Sequence, residues 1–347
     1  MKVDNGNDSM LQPVRVWMDG CFDMVHAGHA NALRQFVLAD ITTNKGRPLT
    51  TEVERRRMIS SIRWVDEVVE DIPFGTSTDL LDKHKCDFCV HGDEFATNGD
   101  GKDSYGEVKA AQRYIKCNRL DGISTTDIVE RILQATTQVP NTHTTAYWKK
   151  AGSTGVSSFL TSTCLIHEFS EGNAPQPGDK VVYVDGAFDL FHAGHIDFLE
   201  KAAAEGDFLI VGLHPDTTVS SCGGSGNPVM NLHERTLSVL ACKYVSDVIM
   251  GAPFVVTSEL MKHFQVDVVC HGMTPTETGP NGEDPYREPK RLGKFRVIDS
   301  GSELTTKMII ERTVQNRLEF EERNTRKEAK ERRIATHTQG LNSTFSQ

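Results

Sequence analysis

Two histidines three residues apart, His26 and His29, close the segment D-G-C-F-D-M-V-H-A-G-H, Asp19 to His29. Residues at that spacing share one face of a helical turn. A helix N-terminus offers unpaired N–H groups and the positive end of the helix dipole, which together make a phosphate site. Imidazoles placed there can donate hydrogen bonds to a phosphate as it gains charge. Gly28 between them leaves room for a ligand to approach the backbone. A lone H-x-G-H is a weak signal. What strengthens it is the preceding β-like run, Val14 to Met18, and the turn that follows, because the chemistry needs a strand–turn–helix context.

The same arrangement occurs twice. Val181 to Lys201 reads V-V-Y-V-D-G-A-F-D-L-F-H-A-G-H-I-D-F-L-E-K. Asp19, Asp23, His26 and His29 recur as Asp185, Asp189, His192 and His195, a step of 166 (185 − 19). Further on, E-R-R-R-M-I-S-S-I-R-W-V-D-E-V-V from Glu54 matches E-R-T-L-S-V-L-A-C-K-Y-V-S-D-V-I from Glu234, and C-V-H-G from Cys89 matches V-C-H-G from Val269. Those pairs share a step of 180 (234 − 54), and the same step lays Thr125–Thr126 on Thr305–Thr306. The chain is a tandem duplication.

The change of step means that copy one lacks 14 residues (180 − 166) between H-A-G-H and E-R. In copy two that interval holds G-D-F-L-I-V-G-L-H-P-D, Gly206 to Asp216, which reads as a buried strand. Copy one has only F-V-L-A-D-I-T-T-N, Phe36 to Asn44, so its second strand is expected to be shortened or missing.

Strands alternate with helices in each copy. The second helix, expected over Glu54–Ile62 and Glu234–Ala241, carries Met58, Ile59 and Ile62, or Leu237, Leu240 and Ala241, on one side. Such alternation predicts an α/β fold: two tandem doubly wound parallel sheets, each with its ligand at the carboxyl ends of the strands. Residues 12–137 form the first domain, 138–180 a linker with a helix around Val156–Thr163, and 181–317 the second domain. Residues 318–347 read as a charged helix and a disordered tail.

Composition excludes several classes. A net charge of −10 argues against a general nucleic-acid binder, although a local basic pocket can still hold an anion. Eight cysteines with no signal-like N-terminal segment read as reduced thiols of a cytoplasmic protein. No run of 18 apolar residues suggests a membrane span. Cys86 and Cys89 in C-D-F-C invite a metal or redox reading, but their repeat partners are Val266 and Val269, so small buried side chains are expected.

The segments D-G-C-F-D-M-V-H-A-G-H, R-W-V-D-E-V-V and R-L-D-G-I-S-T-T resemble the cytidylyltransferase family, with Leu120 where that family's R-T-x-G-I-S-T-T has Thr. The resemblance runs from about Val14 to Lys330, and the two-copy form is similar to members that act on phosphoethanolamine. It implies a Rossmann-like fold and transfer of CMP from CTP to phosphoethanolamine, with Mg²⁺ on the triphosphate and no protein-held metal. It implies His26, His29, Lys45 and Arg119 as the catalytic set. Cys21, Phe22, Asp23, Gly28, Arg55, Arg63, Asp93, Ser124, Thr125 and Thr126 would line the nucleotide pocket. Peripheral association with the endoplasmic reticulum would suit phospholipid synthesis, and a homo-oligomer stays open.

Copy two offers a candidate second nucleotide site at Ala187, Phe188, His192, His195, His271, Gly272, Thr305 and Thr306. It has C-G-G-S-G-N-P in place of N-K-G-R-P, and the step of 180 sets Asp299 opposite Arg119, a change that would repel phosphate. Copy one thus has the better residues and copy two the more complete scaffold. Other readings are a transferase for choline phosphate or glycerol phosphate, and a non-catalytic nucleotide-binding scaffold. A class I aminoacyl-tRNA synthetase is disfavoured by the doubled motif and the absence of basic RNA-binding domains.

Overall fold

The structure is a computed structural model that describes residues 14–35, 39–41, 48–70, 72, 75–92, 103–117, 120, 123–137, 158–222, 228–276, 278 and 282–317. Lys45, Asp93, Arg119 and the C-terminal segment from Leu318 lie outside them.

Copy one runs β1 (Val16–Gly20), α1 (Ala27–Gln35), β2 (Ala39–Ile41), α2 (Glu52–Ser60), β3 (Val68–Val69), α3 (Thr78–Lys83), β4 (Phe88–Gly92), α4 (Gly106–Ala110), β5 (Tyr114–Cys117) and α5 (Thr125–Thr137). After α6 (Ser158–Phe169), copy two runs β6 (Val181–Gly186), α7 (Ala193–Ala203), β7 (Phe208–Leu213), α8 (Asp216–Cys222), α9 (Leu232–Leu240) and β8 (Asp247–Met250). It continues with α10 (Ser258–His263), β9 (Val268–Gly272), α11 (Arg287–Arg291), β10 (Phe295–Ile298) and α12 (Thr306–Gln315). The sheets have orders β3-β2-β1-β4-β5 and β10-β9-β6-β7-β8, the same order by repeat. All pairs are parallel. In each copy the order reverses beside the strand that leads into H-A-G-H, the switch point where such sheets bind ligands.

Apolar, β-branched runs make the central strands: Val181 to Val184 and Leu209 to Leu213 are buried throughout. The helices that follow the turns start on capping boxes. Thr51 Oγ1 accepts from the Glu54 N–H at 3.2 Å while Glu54 returns a bond to the Thr51 N–H, and Asn231 and Glu234 repeat this in α9. Both second helices begin two residues earlier than the apolar pattern alone predicts, because the cap and not the first apolar residue sets the start.

The second strand of copy one is shortened, not missing. β2 holds three residues and pairs with β1 through Asp19–Asp40 and Gly20–Ile41, where β6 and β7 share six register pairs. Three residues suffice to carry the sheet on to β3. The linker helix also lies further along than Val156–Thr163. Phe169 at its end is buried against Trp64, with ring centroids 5.0 Å apart.

The copies face each other around an approximate two-fold. Ile62 and Cys242, equivalent by repeat, form an antiparallel bridge, flanked by Arg63 N–H to Ala241 O at 2.9 Å and Lys243 N–H to Ser61 O at 2.8 Å. Helices α1 and α9 pack together, as do α2 with α7 and α5 with α12. One apolar cluster joins Met24, Ile128, Ile132, Leu190, Leu237 and Ile309 from both copies.

The structure corrects one alignment. Tyr105 bonds Asp19 as Tyr286 bonds Asp185, and Tyr114 pairs with Cys89 as Phe295 pairs with Val269. The Ile123 carbonyl lies over Gly28 as that of Leu304 lies over Gly194. These equivalences step by 181 (286 − 105; 304 − 123). A single residue added to copy two in the loop after β9 shifts everything beyond it. Ser124 and Thr125 therefore match Thr305 and Thr306, and the residue opposite Arg119 is Ser300 rather than Asp299. Copy two loses a cation there without gaining a carboxylate.

Candidate active site

β1 delivers the chain into a turn where Phe22 and Met24 take φ of 46° and 50°, left-handed values uncommon outside glycine. The turn survives because Asp23 staples it. Its buried carboxylate accepts from Leu49 N–H at 2.9 Å, Thr50 N–H at 3.0 Å and Thr50 Oγ1 at 2.7 Å, while its carbonyl accepts from Thr125 Oγ1 at 3.0 Å. Asp23 thereby draws the start of α2 and the start of α5 to the mouth of α1. Its carboxylate oxygens are engaged by protein donors.

The two imidazoles meet as the spacing predicts. The rings of His26 and His29 lie 4.1 Å apart, and His29 meets Phe22 edge-on at 5.5 Å. The Gly28 N–H donates to His26 Nδ1 at 3.0 Å, so the neutral ring carries its proton on Nε2. A Cβ at Gly28 would stand 2.8 Å from the His26 ring and 3.3 Å from the Ile123 carbonyl.

Ser124, Thr125 and Thr126 occupy the start of α5. The Ser124 hydroxyl caps the Asp127 N–H at 3.2 Å and donates to the Asp127 carboxylate at 2.7 Å. With Thr125 bound to Asp23, two of the three hydroxyls are structural, and the first-turn N–H groups are what an anion would meet. Arg55 is buried, and among the described residues its guanidinium makes one side-chain bond, to the Thr50 carbonyl at 2.7 Å. Its Nε is buried and meets no partner among those residues. Arg63 is directed elsewhere, to the carbonyls of Cys242 and Val245 at 3.2 and 2.7 Å and to Glu171 at 3.2 Å. Burial lowers its pKa. Cys21 is half-buried at the turn.

Behind the turn, Asp19 accepts from the Tyr105 hydroxyl at 2.8 and 2.9 Å and from Thr76 at 3.3 Å. Burial pushes its carboxyl upward. Tyr105 is a residue that motif reading passed over. Its signal was legible in D-S-Y-G-E-V-K (Asp103 to Lys109) and its echo D-P-Y-R-E-P-K (Asp284 to Lys290).

Copy two holds the same frame. Asp189 accepts from Leu190, Val229 and Met230 N–H groups, and Thr306 Oγ1 donates to its carbonyl at 3.0 Å. Phe188 meets His195 at 5.3 Å, and His192 stacks on His195 at 3.9 Å. Desolvation lowers the His192 pKa to about 4 and holds that of His195 well below the usual value. Thr305 caps α12, and His271 Nδ1 lies 2.8 Å from the Gly272 carbonyl. Ala187 gives its carbonyl to Arg235 at 2.6 Å. Cys86, Cys89, Val266 and Val269 are all buried, as the repeat predicts.

Comparison with known proteins agrees with this geometry. A family model described as cytidylyltransferase-like matches residues 17–131 and 183–316, one match per sheet. The chain belongs to the cytidylyltransferase-like family. It is 47% identical to an ethanolamine-phosphate cytidylyltransferase of Mus musculus, over 92% of this chain and 90% of that protein. Proteins of the same name from Dictyostelium discoideum and Arabidopsis thaliana are 42% and 41% identical, over 92% and 93% of this chain and 96% and 85% of theirs. As a cytidylyltransferase-like chain it carries two family domains, each a five-stranded parallel sheet.

Proposed function

We propose that the protein transfers CMP from CTP to phosphoethanolamine, giving CDP-ethanolamine and pyrophosphate for phosphatidylethanolamine synthesis, and that copy one does the chemistry. The observation that carries this is the pair of imidazoles 4.1 Å apart at the mouth of α1, facing the start of α5. Near full-length similarity to three proteins named for that activity supports the choice of substrate.

A phosphate oxygen of phosphoethanolamine attacks the α-phosphorus of CTP, and the bond to the β-phosphate oxygen breaks. No covalent enzyme intermediate is required, so the protein acts by positioning and charge stabilisation. His26 and His29 donate to oxygens that gain charge in the transition state. The first-turn N–H groups of α5, with Thr126, hold the leaving phosphates, helped by Lys45 and Arg119. Arg55 supplies a buried positive charge nearby.

Magnesium fits as a passenger on the triphosphate. Among the described residues no group of three or more His, Cys, Asp or Glu side chains forms a cage. Mg²⁺ commonly keeps its waters and binds through substrate phosphates, neutralising their charge.

The same reading puts the protein in the cytoplasm, peripheral to the endoplasmic reticulum. None of the described helices is long and apolar enough to cross a membrane. The test is pyrophosphate release from CTP and Mg²⁺ with phosphoethanolamine, phosphocholine or glycerol phosphate. Phosphoethanolamine should lead by kcat/KM. Binding of CTP without turnover on any acceptor would refute the assignment.

A further inference from the structure

We infer that copy two holds the phosphate-binding helix of copy one in place through an Arg131–Glu234 clamp, making both positioning residues for the transfer. The inference rests on the function proposed above. Arg131 lies six residues into α5, past its first turn, and its guanidinium is engaged away from that turn. Its guanidinium reaches across to α9 of copy two. Nη1 bonds Glu234 at 3.1 and 2.8 Å, Nη2 bonds Glu234 at 3.0 Å, and Nη1 lies 3.4 Å from the Val229 carbonyl. The side chains are 19% and 14% exposed, so this is a largely desolvated fork, stronger than a surface ion pair.

The receiving end is rigid. Glu234 is fixed by its capping box, its carboxylate also accepting from the Asn231 N–H at 3.0 Å. The Val229 and Met230 N–H groups are pinned by Asp189 at 2.8 and 3.0 Å. Arg235 ties the Met230 carbonyl at 3.1 Å. The D-G-A-F-D and N-L-H-E-R motifs of copy two thus form a socket for α5. The mirror pair, Arg312 Nη1 with Glu54 at 2.9 Å, holds α12 against copy one in the same way, so what is particular to the Arg131–Glu234 pair is the helix it holds. A helix held at its second turn keeps its first-turn N–H groups aimed, and losing the hold should weaken the grip on CTP.

Dialysis against labelled CTP, steady-state kinetics and calorimetric Tm would be compared for wild type, R131Q, R131K, E234Q, the double variant R131Q/E234Q and D197N. Gln at position 234 can keep the capping box, so E234Q is the variant expected to fold. D197N breaks a different cross-copy pair, Arg57–Asp197 at 2.7 Å. R131Q and E234Q should each raise the CTP Kd and KM about tenfold, with the double variant no worse than the singles. The phosphoethanolamine KM should move less than about twofold, and R131K should recover part of the loss. D197N should lower Tm comparably with CTP binding intact. An unchanged CTP Kd in E234Q, or an equal loss in D197N, overturns the clamp. Wild type that binds CTP without turnover refutes the function and leaves the clamp to be judged by dialysis; wild type that binds no CTP overturns both.

Discussion

The two copies share a frame and differ in what their buried charges face. Both bend through paired left-handed residues, Phe22 and Met24 or Phe188 and Leu190, and both staple that bend with an aspartate. Arg235 of copy two is saturated. It donates to the carbonyls of Met230, Ala187 and His214 and pairs with Asp216 at 2.6 Å. Arg55, its equivalent, has one carbonyl and no carboxylate among the described residues. Asp216 opens α8, in the interval where copy one is 14 residues shorter (180 − 166). The strand register sets Asn44 of copy one opposite Asp216, so the sequence has an uncharged residue where copy two has the counter-ion. A buried guanidinium without a carboxylate favours an external anion; one already paired does not.

Breaking the histidines should give the largest difference. Ala at His26 or His29 should lower kcat/KM for CMP transfer by about 10²- to 10⁴-fold, the range for lost general-acid or oxyanion-type groups. Activity within tenfold of wild type would remove copy one from the chemistry. Gly28→Ala and Gly194→Ala sharpen the contrast, because one methyl meets different obstacles. At Gly28 it meets chiefly the His26 ring, which can turn aside. At Gly194 it stands 2.5 Å from the Leu304 carbonyl, which cannot. G28A should therefore cut turnover about tenfold or more with a small loss of Tm, as a displaced catalytic group implies. G194A should lower stability by about 1–3 kcal/mol, the scale of overpacking, read in a urea melt. Matching phenotypes would deny the division of labour.

How much of this was readable in advance depends on what kind of signal each feature leaves. The duplicated H-A-G-H, the two parallel sheets and the buried Cys86 and Cys89 follow from residue type and spacing, and the structure has them. The slip at Asp299 came from one added residue in a loop without strong pattern, where the two Thr-Thr pairs coincide at 180 although the structural step is 181. The carbonyl over Gly28, the Tyr105–Asp19 contact and the pairing of Tyr114 with Cys89 fix that register. Arg63 sits in a family motif, yet its side chain crosses to copy two, and no local pattern records contacts made at a separation of 179 residues. Repeat comparison does hold a trace of the linker. Leu237 and Leu240 on α9, beside which α6 packs, correspond to Arg57 and Ser60 on α2.

Replacing each arginine by leucine should separate ligand charge from structural charge. Arg235→Leu strands three carbonyls and should cost about 3 kcal/mol or more of stability. Arg55→Leu strands one, at about 1 kcal/mol, but should raise the CTP KM about tenfold. Urea melts and initial rates on the same preparations decide it. If Arg55→Leu left the CTP KM unchanged, the unpaired guanidinium would be a packing accident.

The smallest effects concern pH, and two buried groups of copy two give them opposite signs. His192 titrates at about 4 when folded against 6.5 ordinarily, through desolvation. The unfolded chain therefore binds the extra proton first. The contribution of neutral His192 is complete above pH 6.5 and is lost as pH falls towards 4, at most about 3 kcal/mol in all. Asp185 acts oppositely. Burial pushes it up to about 7 from 3.8, even with the Tyr286 hydroxyl bonded to it. Its contribution is complete below 3.8 and is lost as pH rises through 7. His192→Asn should flatten the fall in Tm between pH 6.5 and 4.5, while Asp185→Asn, which keeps an acceptor for Tyr286, should raise Tm at pH 8 relative to wild type. Calorimetric scans across pH 4.5 to 8 measure both. A His192→Asn curve parallel to wild type would mean that the imidazole already meets water in the folded protein, and copy two would then be an open pocket instead of a packed support.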